Sequence, residues 1–122
     1  MVLIDTSAWI ESLRPDGDPV VRARVQALLQ SGEAAWCPMV RLELWNGARG
    51  AREKRVLREI EAAVPCMAMT PEVWARADDF ARKARAAGRT VPATDILVAA
   101  CAQQHAVEIE HADEHFRLIA RL

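Results

Sequence analysis

Four carboxylates lie where a charged side chain is unexpected, inside or directly beside apolar stretches of the chain. They are Asp5, Glu43, Asp95 and Asp113. The first follows the apolar run 2–4, the second lies within 40–45, the third opens 96–102, and the last follows the partly alternating segment 107–110. Buried carboxylates are costly without partners and repel one another when clustered. A hard divalent cation relieves both problems, so the pattern predicts a Mg²⁺ or Mn²⁺ site, and no cluster of His and Cys indicates zinc.

Taken singly, each of these acids also has a purely structural interpretation. Asp5 and Asp113 could cap the helices that are predicted to follow them. Asp95 could be a first-turn acid that the helix dipole favours. Glu43 could pair at the surface with Arg41 or Asn46. These alternatives stay open for each residue alone, and only the joint placement of all four favours a metal site.

The hydrophobic pattern alternates short strands with helices, and these elements must position the acids. Strands are predicted over 2–4, 34–37, 66–69 and 107–110. Helices are predicted over 7–13, 20–30, 38–46, 51–64, 71–87, 94–105 and 113–122. This order predicts an α/β fold with a short, mostly parallel central sheet of about four strands, flanked by helices on both faces. Because ligands bind at the carboxyl ends of parallel strands, Asp5 and Asp113 fall where a site is expected.

Length and composition fit one domain spanning residues 1–122. The chain has 122 residues, of which 52% are hydrophobic and 27% charged, and its formal net charge is −1. No apolar run is long enough to cross a bilayer, and the first residues lack the pattern of a signal peptide. The three cysteines form no C-x-x-C pair, so neither a disulfide framework nor a zinc knuckle is indicated. We therefore expect a cytoplasmic protein with no membrane partner.

Basic residues crowd two stretches of the chain, 41–58 and 76–89. Each basic residue, taken singly, is most simply part of a solvated helix face. Two basic stretches around an acidic centre would also suit an RNA substrate, whose phosphates must approach the metal ions. The charge pattern is therefore compatible with RNA binding but does not require it.

Four short motifs around the acids resemble, in order and spacing, those of PIN domains. The motifs are Ile4-Asp5-Thr6-Ser7, Val40-Arg41-Leu42-Glu43-Leu44-Trp45-Asn46-Gly47, Thr94-Asp95-Ile96-Leu97-Val98-Ala99-Ala100 and Ala112-Asp113-Glu114-His115-Phe116. No single motif is specific, but the four together are, and the resemblance covers nearly the whole chain. The small size, with no appended domain, resembles the VapC toxin branch of that family.

The resemblance implies a metal-dependent endoribonuclease, the toxin of a type II toxin–antitoxin pair. Such an enzyme hydrolyses RNA phosphodiester bonds and releases 5′-phosphate and 3′-hydroxyl ends. The resemblance implies that Asp5, Glu43, Asp95 and Asp113 are the catalytic residues and hold Mg²⁺ or Mn²⁺. Thr6 matches a hydroxyl residue that, in the family, supports the first Asp carboxylate or the bound water, although a simple capping role stays open.

The resemblance also implies partners. These are an RNA substrate, a second copy of the chain in a homodimer, and a cognate VapB-like antitoxin. The tail of such an antitoxin lies along a groove and often places an Arg in the acidic site. Trp9 and Trp45 are close to the acids in sequence and could line that groove, although core packing is expected for at least one of them.

The sequence departs from the family pattern at two places. Many relatives carry a further acid just after the fourth Asp, where this chain has Glu114-His115. His115 could shuttle a proton or touch phosphate, but a solvated helix position is the simpler expectation. Many relatives also end in one more strand, which is not predicted here.

Three alternative functions remain to be weighed. The main one is a catalytically inactive PIN scaffold that binds RNA or a protein, and the presence of all four acids argues against it. A phosphatase or receiver domain would need a second acid near the first strand, which Asp5-Thr6-Ser7 does not provide. A purely structural domain leaves four acids in apolar surroundings unexplained.

Overall fold

A computed structural model describes residues 1–122, the whole chain. Its three strands are β1 (Val2–Ile4), β2 (Ala34–Ala35) and β3 (Glu108–Glu110). Its seven helices are α1 (Thr6–Leu13), α2 (Pro19–Ser31), α3 (Pro38–Gly47), α4 (Ala51–Ala63), α5 (Pro71–Ala86), α6 (Ala93–Gln104) and α7 (His115–Ala120). None of these helices combines the length and the apolar character that a membrane span requires.

The sheet is short and parallel, with β1 in the centre and the order β2-β1-β3. Leu3 pairs with Ala35 on one side and with Ile109 on the other. Successive side chains of a strand point to opposite faces, and both Leu3 and Ile4 are 0% exposed. The sheet is therefore covered on both faces, and the predicted α/β fold is confirmed. Burial of two such side chains contributes about 1.5–3 kcal/mol each.

The predicted strand over 66–69 is corrected to a single parallel bridge between Trp36 and Cys66. The Trp36 amide donates to the Pro65 carbonyl over 3.1 Å, and the Met67 amide donates to the Trp36 carbonyl over 2.7 Å. Pro65 has no N–H to extend this ladder, and α5 begins a few residues later. The sheet consequently has three strands and one bridge instead of four strands.

Proline and capping residues set the helix starts that matter for the site. Pro38 is the first residue of α3, where the missing N–H is not needed. The Thr70 hydroxyl accepts a hydrogen bond from the Val73 amide at the start of α5. Pro92 precedes α6, which carries Asp95 in its first turn. These local signals put two of the predicted acids on helices that begin where the sequence indicated.

The hydrophobic core connects the sheet with the helices that carry the acids. Residues 96–102 of α6 are all buried, as the absence of polar side chains in that stretch predicted. Trp9 of α1 is buried and packs edge to face against Trp36, with ring centroids 6.1 Å apart. One core cluster of 25 buried residues contains members from β1 through to α7. The site is therefore built on rigid, packed elements.

Candidate active site

Asp5 lies at the carboxyl end of β1 and is the N-cap of α1. Its Oδ2 accepts hydrogen bonds from the Ser7 amide over 3.0 Å and from the Ser7 hydroxyl over 2.6 Å. The capping interpretation is thus correct, but the cap hydrogen bonds involve only one of the two carboxylate oxygens. The other oxygen, Oδ1, is buried and has no hydrogen-bond partner, and Asp5 as a whole is 3% exposed. A buried, unpartnered carboxylate oxygen needs a cation or a proton.

The electrostatics of Asp5 are unfavourable for an isolated carboxylate. Burial raises the pKa of Asp5, the hydrogen bonds from Ser7 oppose this, and the charge of Asp113 raises it further. No Lys or Arg forms an ion pair with Asp5. The folded chain therefore holds this charge without a protein counter-ion.

Glu43 of α3 reaches the same end of the sheet and is half-buried. The Thr6 hydroxyl donates to Glu43 Oε1 over 2.9 Å. Burial raises the pKa of Glu43, the hydrogen bond from Thr6 opposes this, and the charge of Asp5 raises it further. The alternative pairing with Arg41 is not formed, because the Arg41 guanidinium contacts the sulfur of Cys66 at 3.7 Å instead.

The Thr6 hydroxyl donates to Glu43 and makes no hydrogen bond to the Asp5 carboxylate. Its expected role towards a bound water stays a prediction. Ser7 holds Asp5, because the residue two positions after an N-cap is where the backbone and the side chain can both return to the cap. The role of Ser7 was not predicted from the sequence, although a hydroxyl residue two positions after a predicted N-cap is a signal for this contact.

Asp95 and Asp113 come together around His115. The Nδ1 atom of His115 lies 2.9 Å from Asp95 Oδ2 and 2.9 Å from Asp113 Oδ1. Asp113 Oδ1 also accepts from the amide of His115, the first residue of α7, over 2.9 Å, although the N-cap position of that helix is Glu114. His115 is partly solvated, as expected for a helix position, with 38% of its side chain exposed, but its ring also lies against two of the predicted ligands.

The pKa of Asp95 is raised from 3.8 to about 6. Desolvation by burial is the main cause, the charges of Asp113 and Asp5 add to it, and the hydrogen bond and charge of His115 oppose it. Burial lowers the pKa of His115, but the charge of Asp113 and the hydrogen bonds to both acids outweigh this, so that pKa lies above its ordinary value. The acids thus repel one another, and His115 partly compensates.

A chain of hydrogen bonds joins the two halves of the site. The Ser7 hydroxyl donates to Asp5 and accepts from the Ala112 amide over 3.0 Å, one residue before Asp113. The Asp5 amide donates to the Glu110 carbonyl at the end of β3 over 2.9 Å. The ends of β1 and β3 are therefore fixed to each other at this edge of the sheet.

The donor set fits a hard divalent cation. It contains carboxylate oxygens from four separate elements, one of them buried and unpartnered. One donor atom each from Asp95, Asp113 and His115 lies within 4.8 Å of the others. Oxygen donors of this kind suit Mg²⁺ or Mn²⁺, and the mutual repulsion of the acids is what such an ion would remove.

A cleft of about 600 Å³ has Glu43 in its wall and runs between α1, α3 and α4. Its side-chain walls include Ile10, Leu13, Arg14, Glu43, Arg52 and Val56. Trp9 and Trp45, which were expected near such a groove, are not among its walls. Trp9 lies in the core, and the Trp45 indole N–H donates to Glu61 over 2.5 Å.

The two basic stretches only partly face the site. Arg52 lines the cleft, as does Arg14, which sequence analysis had not singled out. Arg76 instead donates to Gln103 and Gln104, which ties α5 to α6. The interpretation of many basic residues as helix-face residues therefore agrees with the structure, with Arg52 as an exception.

Comparison with known proteins covers the whole chain. The family model described as the PIN domain matches residues 2–122. The chain is 34% identical over 126 residues to VapC ribonuclease Mb1587 of Mycobacterium bovis, with 100% of this chain and 93% of that protein covered. It is 31% identical over 107 residues to Ribonuclease VapC21 of Mycobacterium tuberculosis, with 85% of this chain and 78% of that protein covered.

Solved structures share the fold at low sequence identity. VapBC-1 from nontypeable Haemophilus influenzae superposes with a TM-score of 0.77 at 17% identity, covering 100% of this chain and 95% of that chain. FitAcB from Neisseria gonorrhoeae superposes with a TM-score of 0.73 at 23% identity, covering 100% and 94%. At these identities the likeness establishes the fold alone.

Proposed function

Because the chain belongs to the PIN domain family, we propose that it is a metal-dependent endoribonuclease and the toxin of a type II toxin–antitoxin pair. Relatives that carry the name ribonuclease align with its full length, which supports this activity. The observation that carries the proposal is the buried, unpartnered Oδ1 of Asp5 amid three further acids. A catalytically inactive scaffold would have no need to maintain this electrostatic strain.

Asp5, Glu43, Asp95 and Asp113 would hold Mg²⁺ or Mn²⁺ in this proposal. When bound, such an ion provides a nucleophile from water near neutral pH and neutralises the charge that develops on the scissile phosphate. The substrate is RNA, and the expected products carry 5′-phosphate and 3′-hydroxyl ends.

The remaining residues of the site act by holding the acids in place. Ser7 turns Oδ2 of Asp5 towards α1 and leaves Oδ1 available. Thr6 orients Glu43 through its hydroxyl. The packed core behind them excludes water from one side of the site, which strengthens every charge interaction within it. These contacts keep the acids in position before metal and RNA arrive.

Cleavage of a labelled single-stranded RNA tests the activity. The purified protein is assayed with Mg²⁺, with Mn²⁺ and with EDTA, beside Asp5→Asn and the matched control Asp79→Asn. Asp79 is an exposed acid paired with Lys83 on α5, so its loss leaves the site intact. We expect Asp5→Asn to reduce the cleavage rate about 100-fold or more, since a lost metal ligand removes several kcal/mol of transition-state stabilisation.

Two outcomes would count against this function. Cleavage that persists in EDTA and in Asp5→Asn would mean that the acids are not the metal site. Binding of RNA without any metal-dependent cleavage would favour the inactive scaffold. If cleavage occurs, sequencing the 5′ ends of RNAs cut after brief induction in cells would identify the target, and we expect it in the cytoplasm.

We further propose that the cleft beside Glu43 receives the tail of a VapB-like antitoxin. Ile10 and Leu13 are 39% and 41% exposed in its wall, which gives an apolar strip that leads to an acidic end. A peptide with apolar residues followed by an Arg would complement both parts. Such an Arg would compete with the metal for the acids.

Inhibition by a co-expressed VapB-like protein tests this partner. Leu13→Asp should weaken inhibition of RNA cleavage, whereas Val20→Asp, at an exposed position on α2 outside the cleft walls, should not. Equal inhibition of both variants would place the antitoxin elsewhere. We also propose a homodimer, and light scattering that gives the mass of one chain, 13.5 kDa, would contradict it.

A further inference from the structure

His115 stands at the point where the family pattern and this sequence differ, and its ring is placed as a metal ligand would be. Its Nδ1 lies 2.9 Å from an oxygen of Asp95 and 2.9 Å from an oxygen of Asp113. The His115 side chain is 38% exposed, so the opposite side of its ring faces solvent. No other histidine of the chain makes a hydrogen bond to a side-chain carboxylate.

A second, independent observation favours a cation beside this cluster. Oδ1 of Asp5 is buried and unpartnered, and Asp5 is linked through the Ser7 hydroxyl to the Ala112 amide beside Asp113. The His115 ring contacts Asp95 and Asp113 but makes no hydrogen bond to Asp5 Oδ1. A protonated imidazole therefore leaves this Asp5 oxygen without a partner. That oxygen needs a cation or a proton, and the acids and the ring offer the donors for a cation.

The donor spacing agrees with neighbouring positions around one ion. Two ligands at about 2.1 Å from an octahedral ion and at right angles to each other are about 3 Å apart. The two Nδ1–oxygen distances of 2.9 Å match this spacing. In the metal-free site the same atoms form hydrogen bonds, which the ion would replace.

We propose that Nδ1 of His115 is a direct ligand of the divalent cation, together with Asp95 and Asp113, and that it shifts the preference of the site from Mg²⁺ towards Mn²⁺. The proposal rests on the metal-dependent function proposed above. Ligation requires the proton of the ring to reside on Nε2, and the exposed edge of the ring lets the displaced proton pass to water. Imidazole nitrogen binds first-row transition ions better than Mg²⁺, which prefers oxygen.

Electron paramagnetic resonance of Mn²⁺ bound to the full-length protein tests this ligand without relying on activity. Pulsed measurements detect the nuclear coupling of a directly bound nitrogen, and the six-line signal of free Mn²⁺ gives the dissociation constant. The variants are His115→Gln, His115→Asp and the matched control His105→Gln. His105 bonds to the Ala68 carbonyl and contacts none of the four acids.

We expect nitrogen coupling in the wild type and in His105→Gln, and none in the two His115 variants. His115→Gln should bind Mn²⁺ about 10- to 100-fold more weakly, the range typical when a metal-supporting group is lost. Mg²⁺, measured by competition against Mn²⁺, should lose less affinity. His115→Asp should restore Mg²⁺ binding, because it replaces the nitrogen with an oxygen donor.

The results that would overturn the proposal differ from those that would overturn the function. Tight Mn²⁺ binding without nitrogen coupling, with His115→Gln binding as well as the wild type or better, would mean that the imidazole is a hydrogen-bonding competitor. The proposed ribonuclease would survive that result. If the wild type binds neither Mn²⁺ nor Mg²⁺ and does not cleave RNA, both the ligand role of His115 and the proposed ribonuclease function are contradicted. Circular dichroism of each variant verifies that it is folded.

Discussion

Replacing Asp95 with Asn is expected to stabilise the metal-free protein near neutral pH. Desolvation by burial, together with the charges of Asp113 and Asp5, raises the pKa of Asp95 from 3.8 to about 6. Between these two values the folded protein keeps a proton that the unfolded chain has released. The stability that Asp95 contributes is therefore fully present below pH 3.8 and is lost as the pH rises through about 6.

The size of this effect follows from the raised pKa. At about 1.4 kcal/mol per pH unit, the difference between 3.8 and about 6 corresponds to about 3 kcal/mol. Asp95 is partly exposed, and solvent screening reduces this to about 2 kcal/mol. Asn also lacks the favourable interaction of a first-turn charge with the helix dipole, about 0.5–1 kcal/mol. Relief of the repulsion and loss of the dipole interaction together should raise the free energy of unfolding of Asp95→Asn by about 1 kcal/mol at pH 7.5.

Urea unfolding in EDTA at pH 4.5 and pH 7.5 measures this difference. At pH 4.5 only about one third of this destabilisation has developed, so the gain in the free energy of unfolding should fall to about one third of its value at pH 7.5. Asp79→Asn is the matched control, because its exposed carboxylate pairs with Lys83 outside the site. A free energy of unfolding for Asp95→Asn that lies below the wild-type value at pH 7.5, or a difference independent of pH, would refute the reasoning.

Three further perturbations test the contacts around the acids. Ser7→Ala removes the hydroxyl that holds Asp5, and it should lower the rate of RNA cleavage about 10- to 100-fold with little change in KM. Ser31→Ala, at the end of α2, is the control and should match the wild type in the same assay. Thr6→Val should weaken metal binding by a similar factor, because Glu43 loses its hydrogen bond, whereas Thr6→Ser should retain the metal affinity. Isothermal calorimetry measures this affinity, and an equal loss in both variants would contradict a role for the hydroxyl. Mg²⁺ at about 100 times its dissociation constant should raise the free energy of unfolding by about 2.7 kcal/mol in the wild type and by much less in Asp5→Asn. Thermal unfolding measures this stabilisation, and an equal stabilisation of both proteins would show that the ion binds elsewhere.

The main elements of the fold were predictable because their signals are local. The apolar run of β1, the prolines that open α3 and α5, and the fully apolar stretch 96–102 each indicate an element without reference to the rest of the chain. The predicted strand 66–69 failed for the opposite reason. Its pairing depends on a partner strand, and only Trp36 supplies backbone groups to it. Strand pairing is a tertiary property that short apolar runs do not determine.

The hydroxyl residues after β1 show a similar limit at the scale of one side chain. The family motif implied that Thr6 supports either the Asp5 carboxylate or the bound water. In the structure the Ser7 hydroxyl holds Asp5, and the Thr6 hydroxyl donates to Glu43. Adjacent residues at a helix start point in different directions, so a motif alone cannot say which of them faces a carboxylate. The position of α3 relative to α1 decides that Thr6 has Glu43 within reach.

The sequence by itself determined that four acids lie beside apolar elements, and with the family motifs it indicated a divalent metal site. Each acid taken alone kept a capping or surface interpretation, and Asp5 does cap α1, whereas Asp113 lies one residue before the N-cap of α7. Only the tertiary structure decided that Asp5 keeps one buried oxygen without a partner and that His115 lies between Asp95 and Asp113. The physical reason is that residue types and local spacing determine helices, strands and caps. The distances between β1, α3, α6 and α7 arise only when the core packs and sets which side chains meet.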